Sequence, residues 1–378
     1  MIRSSSTFAD SKKHFLVLDA LRGVAAVVVV LFHALEVFSG GDHTKQLINH
    51  GYLAVDFFFM LSGFVMAHAY DDRWDRMTVA AFFKRRLVRL HPMILAGMTV
   101  GAICFFFQES PMFPNIAGTS VEEMLLVFLI GCTLLPVPLS MDIRGWFEMH
   151  PLNGPAWSLF FEYIANVLHA LILRRLSKTY LSILVFIAGA ALIHMAVTSP
   201  TGDIIGGWSL EPAQLRIGFT RLLFPYMAGM LLRRVVPIGE GKNQFLITSL
   251  LLVAVLSVPR IGGHEHYWAN GLYDSLSIIL LFPVIIYLGA FGKIVNPFTE
   301  KLCTFLGDIS YPIYITHFPI LYIFYAWVSN NNIPIEEGYW VGILLLPLTL
   351  LLAYGILKLY DEPVRRWLAR KFLTQILQ

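Results

Sequence analysis

The sequence predicts an all-α integral membrane protein of about ten transmembrane helices, and three observations predict it. The 378-residue chain is 57% hydrophobic and only 14% charged, with a mean hydropathy of +0.66. A surface so poor in charge needs lipid to cover it. Apolar runs close to the ~20 residues that cross a bilayer recur from end to end. They leave no stretch large enough for a second core, so residues 1–378 read as one membrane-embedded domain. Lys and Arg fall in short clusters between these runs, and the net charge is only +3. That pattern suits lipid-facing loops and excludes a nucleic-acid surface.

The first apolar run, 15–38, follows Lys12 and Lys13 but is too long for a signal-peptide core, so it reads as an uncleaved span. Further spans are expected at 51–70, 91–107, 155–173, 180–198, 214–232, 244–259, 271–290, 302–328 and 338–360. The stretch 122–136 reads as a re-entrant segment. If it crossed, Arg174, Arg175 and Lys178 would lie outside, against the positive-inside rule. If it returns, Lys84 to Arg89, Arg174 to Lys178, Arg233 with Arg234, Lys293 with Lys301, and Arg365 to Lys371 share one side. Both termini are then cytoplasmic. Pro363 is expected to end the last span, with 364–378 forming an interfacial cytoplasmic helix. Cys104, Cys132 and Cys303 are scattered through apolar segments and give no disulfide framework. His264-Glu265-His266 lacks a third placed ligand, so no metal site is expected.

Ionisable groups inside a membrane cost several kcal/mol on insertion scales and call for a partner or a function. Arg22 and His33 lie on one stripe of the first span, ~16 Å apart along its axis, and Asp19 is placed to pair with Arg22. Asp56 enters the second span at the depth of His33, with Ser62 and Gly63 below it as packing or ligand-approach residues. Arg86 and Arg89, three apart at the start of the third span, serve either as phosphate ligands or as positive-inside anchors. Ser158 and Glu162 share a face of the fourth span, which puts Glu162 in its outer half. Ser310, Tyr314 and His317 form one stripe of the ninth, suited to interhelical bonding or to a ligand.

Taken in order these segments resemble the acyltransferase 3 family, bacterial membrane O-acyltransferases that act on surface polysaccharides and related acceptors. The likeness runs from Leu18 to Trp367. It rests on Leu18-Asp19-Ala20-Leu21-Arg22-Gly23 with His33, Val55-Asp56-Phe57-Phe58 leading to Leu61-Ser62-Gly63-Phe64, and Arg86 with Arg89 before Pro92. It continues in Trp157-Ser158-Leu159 with Glu162, in Ser310-Tyr311 with Tyr314 and His317, and in Glu362-Pro363 with Arg365.

The resemblance implies acyl-CoA, by family preference acetyl-CoA, as co-substrate. It puts His33 and Arg22 at the reaction centre and Arg86 and Arg89 near the CoA phosphates. Ser62, Trp157, Ser158, Tyr311, Tyr314 and His317 then form the substrate pocket. His33 is the expected general base, oriented by Glu162 or Asp56. Implied partners are the lipid bilayer of a bacterial inner membrane, a carbohydrate acceptor and polysaccharide-assembly proteins. The competing class is a secondary transporter using the same charges as a proton or ion path. The absence of an inverted repeat in the sequence weighs against it.

Overall fold

The computed structural model describes residues 12–237, 239, 241 and 243–373. Its helices are α1 Leu16–Glu36, α2 Ala54–Tyr70, α3 Val79–Cys104, α4 Val121–Cys132, α5 Ala156–Leu171, α6 Lys178–Val197 and α7 Pro212–Val235. They continue as α8 Phe245–Ser257, α9 Tyr267–Leu276, α10 Phe282–Phe291, α11 Pro297–Asn331, α12 Ile335–Ile356 and α13 Glu362–Phe372. Among the described residues the only β pairing is an isolated bridge, Ser110 to Phe113.

Six helical stretches are long and apolar enough to cross a membrane: Leu16–Ser39, Gly51–Tyr70, Val79–Gln108, Lys178–Val197, Tyr267–Phe291 and Ile335–Phe372. The other expected spans fall short for separate reasons. The 16 residues of α5 and 13 of α8 are short, whereas α7 and α11 have the length but carry charged and polar residues inside. The 12 residues of α4 reach only ~18 Å, against a ~30 Å hydrocarbon core.

Two boundaries differ from the sequence reading. The third span begins at Val79, where the Thr78 side chain accepts from the Ala81 N–H (3.1 Å). Arg86 and Arg89, expected on a helical face at the entry to the span, therefore sit well inside the helix, as does Pro92. The last span does not stop at Pro363. A π turn, Leu357–Asp361, carries α12 into α13, and Pro363 follows that turn inside the continuous helix. The expected interfacial helix is thus, as far as it is described, a continuation of α12; residues 374–378 lie outside the described residues.

The bundle is built on close pairings, α1 against α11 and α2 against α7. In the second pair glycines allow backbone contact: a Cβ on Gly63 would lie 2.0 Å from the Tyr226 carbonyl oxygen, and one on Gly229 2.0 Å from that of Met60. The same two helices are joined by a buried ion pair. Arg221 Nη2 donates to Asp56 Oδ2 at 2.6 Å and to the Tyr52 carbonyl at 2.8 Å. Removing one partner of such a pair typically costs about 3–5 kcal/mol.

The loop between α4 and α5 is also part of the core. Arg144 and Asn153 are fully buried, and Asn153 Nδ2 donates to the Ile315 carbonyl of α11 (2.7 Å). This buried loop makes α5 start deep within the bundle.

Gly63→Val and Gly229→Val should each destabilise the detergent-purified protein, by about 1–3 kcal/mol or more. Gly355→Ala, where a Cβ meets nothing within 4 Å, should leave the melting temperature unchanged or raise it. Equal thermal shifts for all three would show that α2 and α7 are not held at backbone contact.

Candidate active site

A cavity of about 450 Å³ opens between α1, α2, α3, α5, α11 and the α12–α13 junction. Three arginines in its wall are already held. Arg22 Nε donates to Ser310 Oγ (2.8 Å) and its Nη2 lies 3.4 Å from Asp19. Arg86 Nη2 donates to Glu162 Oε1 at 2.6 Å, and the same oxygen accepts from Ser62 Oγ at 3.1 Å. Arg365 Nη2 lies 2.6 Å from Asp361 Oδ2. Arg89, one turn beyond Arg86, is the contrast. It lines the same cavity, is accessible, and makes no hydrogen bond or ion pair among the described residues. At the mouth, a hydrogen bond from His14 to Asp19 (2.9 Å) raises the imidazole above its ordinary value.

The far wall is made by Ser158 and Tyr314, whose hydroxyls are 2.7 Å apart. Tyr311, also lining the cavity, donates its hydroxyl to the Leu90 carbonyl (2.8 Å) and so ties α11 to α3. Trp157 packs behind this wall, edge-on to Phe59 and Phe161 and beside the Arg221 guanidinium. Its position supports the Asp56–Arg221 pair rather than the cavity.

Beyond Tyr314 come two histidines. The Tyr314 and His317 rings are 6.1 Å apart, and the His317 and His33 rings are stacked at 5.7 Å with 27° between planes. His33 Nδ1 lies 2.8 Å from Glu36 Oε2. A carboxylate can only accept, so Nδ1 carries the proton and Nε2 of the neutral ring has a free lone pair. His317 is fixed in the same sense. Its Nδ1 meets the carbonyls of Ile313 (3.0 Å) and Tyr314 (2.9 Å), and its buried Nε2 has no hydrogen-bond partner among the described residues. Tyr325 donates to the His33 carbonyl, which anchors that turn of α1 to α11.

The sequence reading of the carboxylates is corrected by these contacts. Asp56 is taken up by Arg221 and Glu162 by Arg86, so neither orients His33; Glu36 does. Helical spacing alone did not show that Glu162 is paired across to Arg86 of α3. Glu36 follows His33 by one turn, and that i, i+3 spacing is the signal that finds it.

The loop supplies a second group that spacing does not reveal. Arg144 donates to Gln108 Oε1 (2.8 Å) and the Pro151 carbonyl (2.6 Å), lies 3.4 Å from Glu148, and covers the Tyr322 ring at 3.5 Å. Tyr322 donates to Glu148 at 2.5 Å. Burial pushes the Glu148 carboxyl up to about 7, although Arg144 and Tyr322 oppose the shift. The Phe318 ring bridges this cluster to His33, 4.5 Å from Tyr322 and 4.6 Å from the imidazole.

Comparison with known proteins gives this constellation a context. Residues 15–358 match the family model described as an acyltransferase domain. The chain is 35% identical over 165 residues to protein 2 in the picA locus of Rhizobium radiobacter, covering 42% of this chain and 82% of that one. It is 21% identical over 370 residues to the O-acetyltransferase OatA of Staphylococcus aureus, covering 92% of this chain but only 57% of the relative's length. No solved structure matches it. The match over residues 15–358 and the rhizobial relative together show that the chain belongs to the acyltransferase 3 family.

Proposed function

We propose that the protein transfers an acyl group, acetyl by preference, from acyl-CoA to a hydroxyl of a carbohydrate acceptor such as an exopolysaccharide, O-antigen or lipid-linked saccharide. The observation that carries this reading is the Glu36–His33 pair (2.8 Å), stacked on His317 beside Tyr314, a wall residue of the cavity that also holds Arg89. An alcohol is a poor nucleophile at neutral pH, and an oriented neutral imidazole overcomes that. His33 Nε2 takes the hydroxyl proton as the oxygen attacks the thioester carbonyl carbon. The C–S bond then breaks, and the proton on His33 passes to the departing sulfur, so that the products are the ester and the free CoA thiol. Glu36 stays ionised throughout and stabilises the imidazolium that forms. The unpartnered His317 Nε2 is free to accept a hydrogen bond from the acceptor sugar or from a bound water.

Phosphate groups of the donor meet Arg89 first, and Arg86 and Arg22 by displacing part of their present contacts. The pantetheine arm runs along the cavity toward Ser158 and Tyr314. In this reading the chain is one acyltransferase domain of the bacterial inner membrane, with ten crossings and cytoplasmic termini. Arg89 then faces the cytoplasm and His33 the opposite side.

His33→Ala should lower turnover by about 10²–10⁴-fold with extraction and melting temperature near wild type, and Glu36→Gln should do so to a smaller extent. Substantial turnover in His33→Ala would move the base elsewhere. Arg89→Ala should raise the KM for acyl-CoA about tenfold or more with kcat nearly unchanged, since phosphate contacts are made in ground and transition state alike. Arg86→Ala should instead lose stability, because it strips the 2.6 Å partner from Glu162; a donor KM unaffected in both variants would return these arginines to topological anchors. In oriented proteoliposomes acyl-CoA should act only from the side of the C-terminus and an impermeant saccharide only from the other. A requirement for both on one side would refute the trans-bilayer route.

A further inference from the structure

The junction of α12 and α13 takes no part in the transfer step, yet it is built into the cavity wall. The π turn Leu357–Asp361 directs Leu357 and Asp361, with Arg365 one turn later, to the cavity. Single π turns inside long helices are uncommon and concentrate at functional sites. The Asp361 side chain is 3% exposed and its Oδ2 faces Arg365 Nη2 at 2.6 Å. Its other oxygen, Oδ1, and the Arg365 Nε are both buried without a hydrogen-bond partner among the described residues. Leaving such atoms unsatisfied is costly, so their pairing points to a ligand.

The chemistry of these two atoms restricts what that ligand is. Arg365 Nε donates and suits an anion. Ionised Asp361 Oδ1 only accepts, so a phosphate that carries no proton cannot satisfy it; the ligand group that meets it carries an N–H or O–H.

A groove of about 370 Å³ between α11 and α12 adjoins this point and shares Thr304, Asp308 and Leu357 with the cavity. Its wall holds Phe305 and Tyr354, 42% and 43% exposed, with ring centroids 6.2 Å apart. An anionic group, hydroxyl or amino donors and a flat apolar face belong together in a nucleotide.

We propose that the α12–α13 junction and the adjoining groove bind the nucleotide end of the donor. Arg365 contacts its phosphate, Asp361 Oδ1 accepts from an amino or hydroxyl group of the nucleoside, and the base lies against Phe305 and Tyr354. The assignment rests on the acyl-CoA reading and adds the residues that distinguish a whole CoA from its pantetheine arm.

The test is binding, read as thermal stabilisation of the purified full-length protein titrated with CoA, 3′-dephospho-CoA and 4′-phosphopantetheine. Wild type should bind them in that order of affinity. Arg365→Ala should weaken CoA about tenfold and erase the difference between CoA and 3′-dephospho-CoA, with Arg365→Lys restoring part of it. Tyr354→Ala, at an exposed position, should weaken both nucleotides and leave 4′-phosphopantetheine unchanged. An undiminished preference for CoA in Arg365→Ala, or an equal loss for all three ligands in both variants, overturns the site. If wild type binds all three alike, the nucleotide site alone falls. If it binds none of them, the acyl-CoA reading falls with it.

Discussion

The architecture depends on one constraint: a charge inside an apolar bundle needs an opposite charge or hydrogen-bonding partner. Meeting it fixes the relative positions of helices distant in sequence. Asp56 and Arg221 join α2 to α7, Arg86 and Glu162 join α3 to α5, and Arg22 with Ser310 joins α1 to α11. The glycine contacts bring backbones together, but glycines alone leave helices free to slide. The buried pairs set their register along the axis.

Against this background the exceptions carry the chemistry. Among the described residues Arg89 makes no hydrogen bond or ion pair, and Nε2 of His33 and of His317 has no hydrogen-bond partner. The histidines are held in place by neighbours: Glu36 for His33 and two backbone carbonyls for His317. Groups whose direction is fixed before substrate arrives lose little entropy and reorganise little during reaction.

Much of this was legible in the sequence because helical periodicity is a local property. The Arg22–His33 stripe, the Arg86–Arg89 turn and the Ser310–Tyr314–His317 stripe needed only residue spacing. The placing of helices against one another was not legible. It depends on where a helix starts relative to its neighbours, and for α5 that start is set by a buried loop whose anchors, Arg144 and Asn153, contact residues such as Gln108 and Ile315 far along the chain. The Asp56–Arg221 pair was hidden for the same reason: 165 residues separate its members. Boundaries suffered from hydropathy itself, since the polar first turns of α3 fall outside the apolar run 91–107 although they belong to the same helix.

The π turn ties chain length to side-chain direction. A π turn contains one residue more than the α turn it replaces, so α13 leaves α12 about 100° out of phase with an uninterrupted helix. Loss of a single residue between Leu357 and Asp361 would restore the ordinary phase, turning Arg365 away from the cavity and a different face of α13 toward α3. The length of this segment is thus constrained separately from its composition. An insertion or deletion here therefore acts as a rotation of everything that follows it, even where every remaining side chain is unchanged.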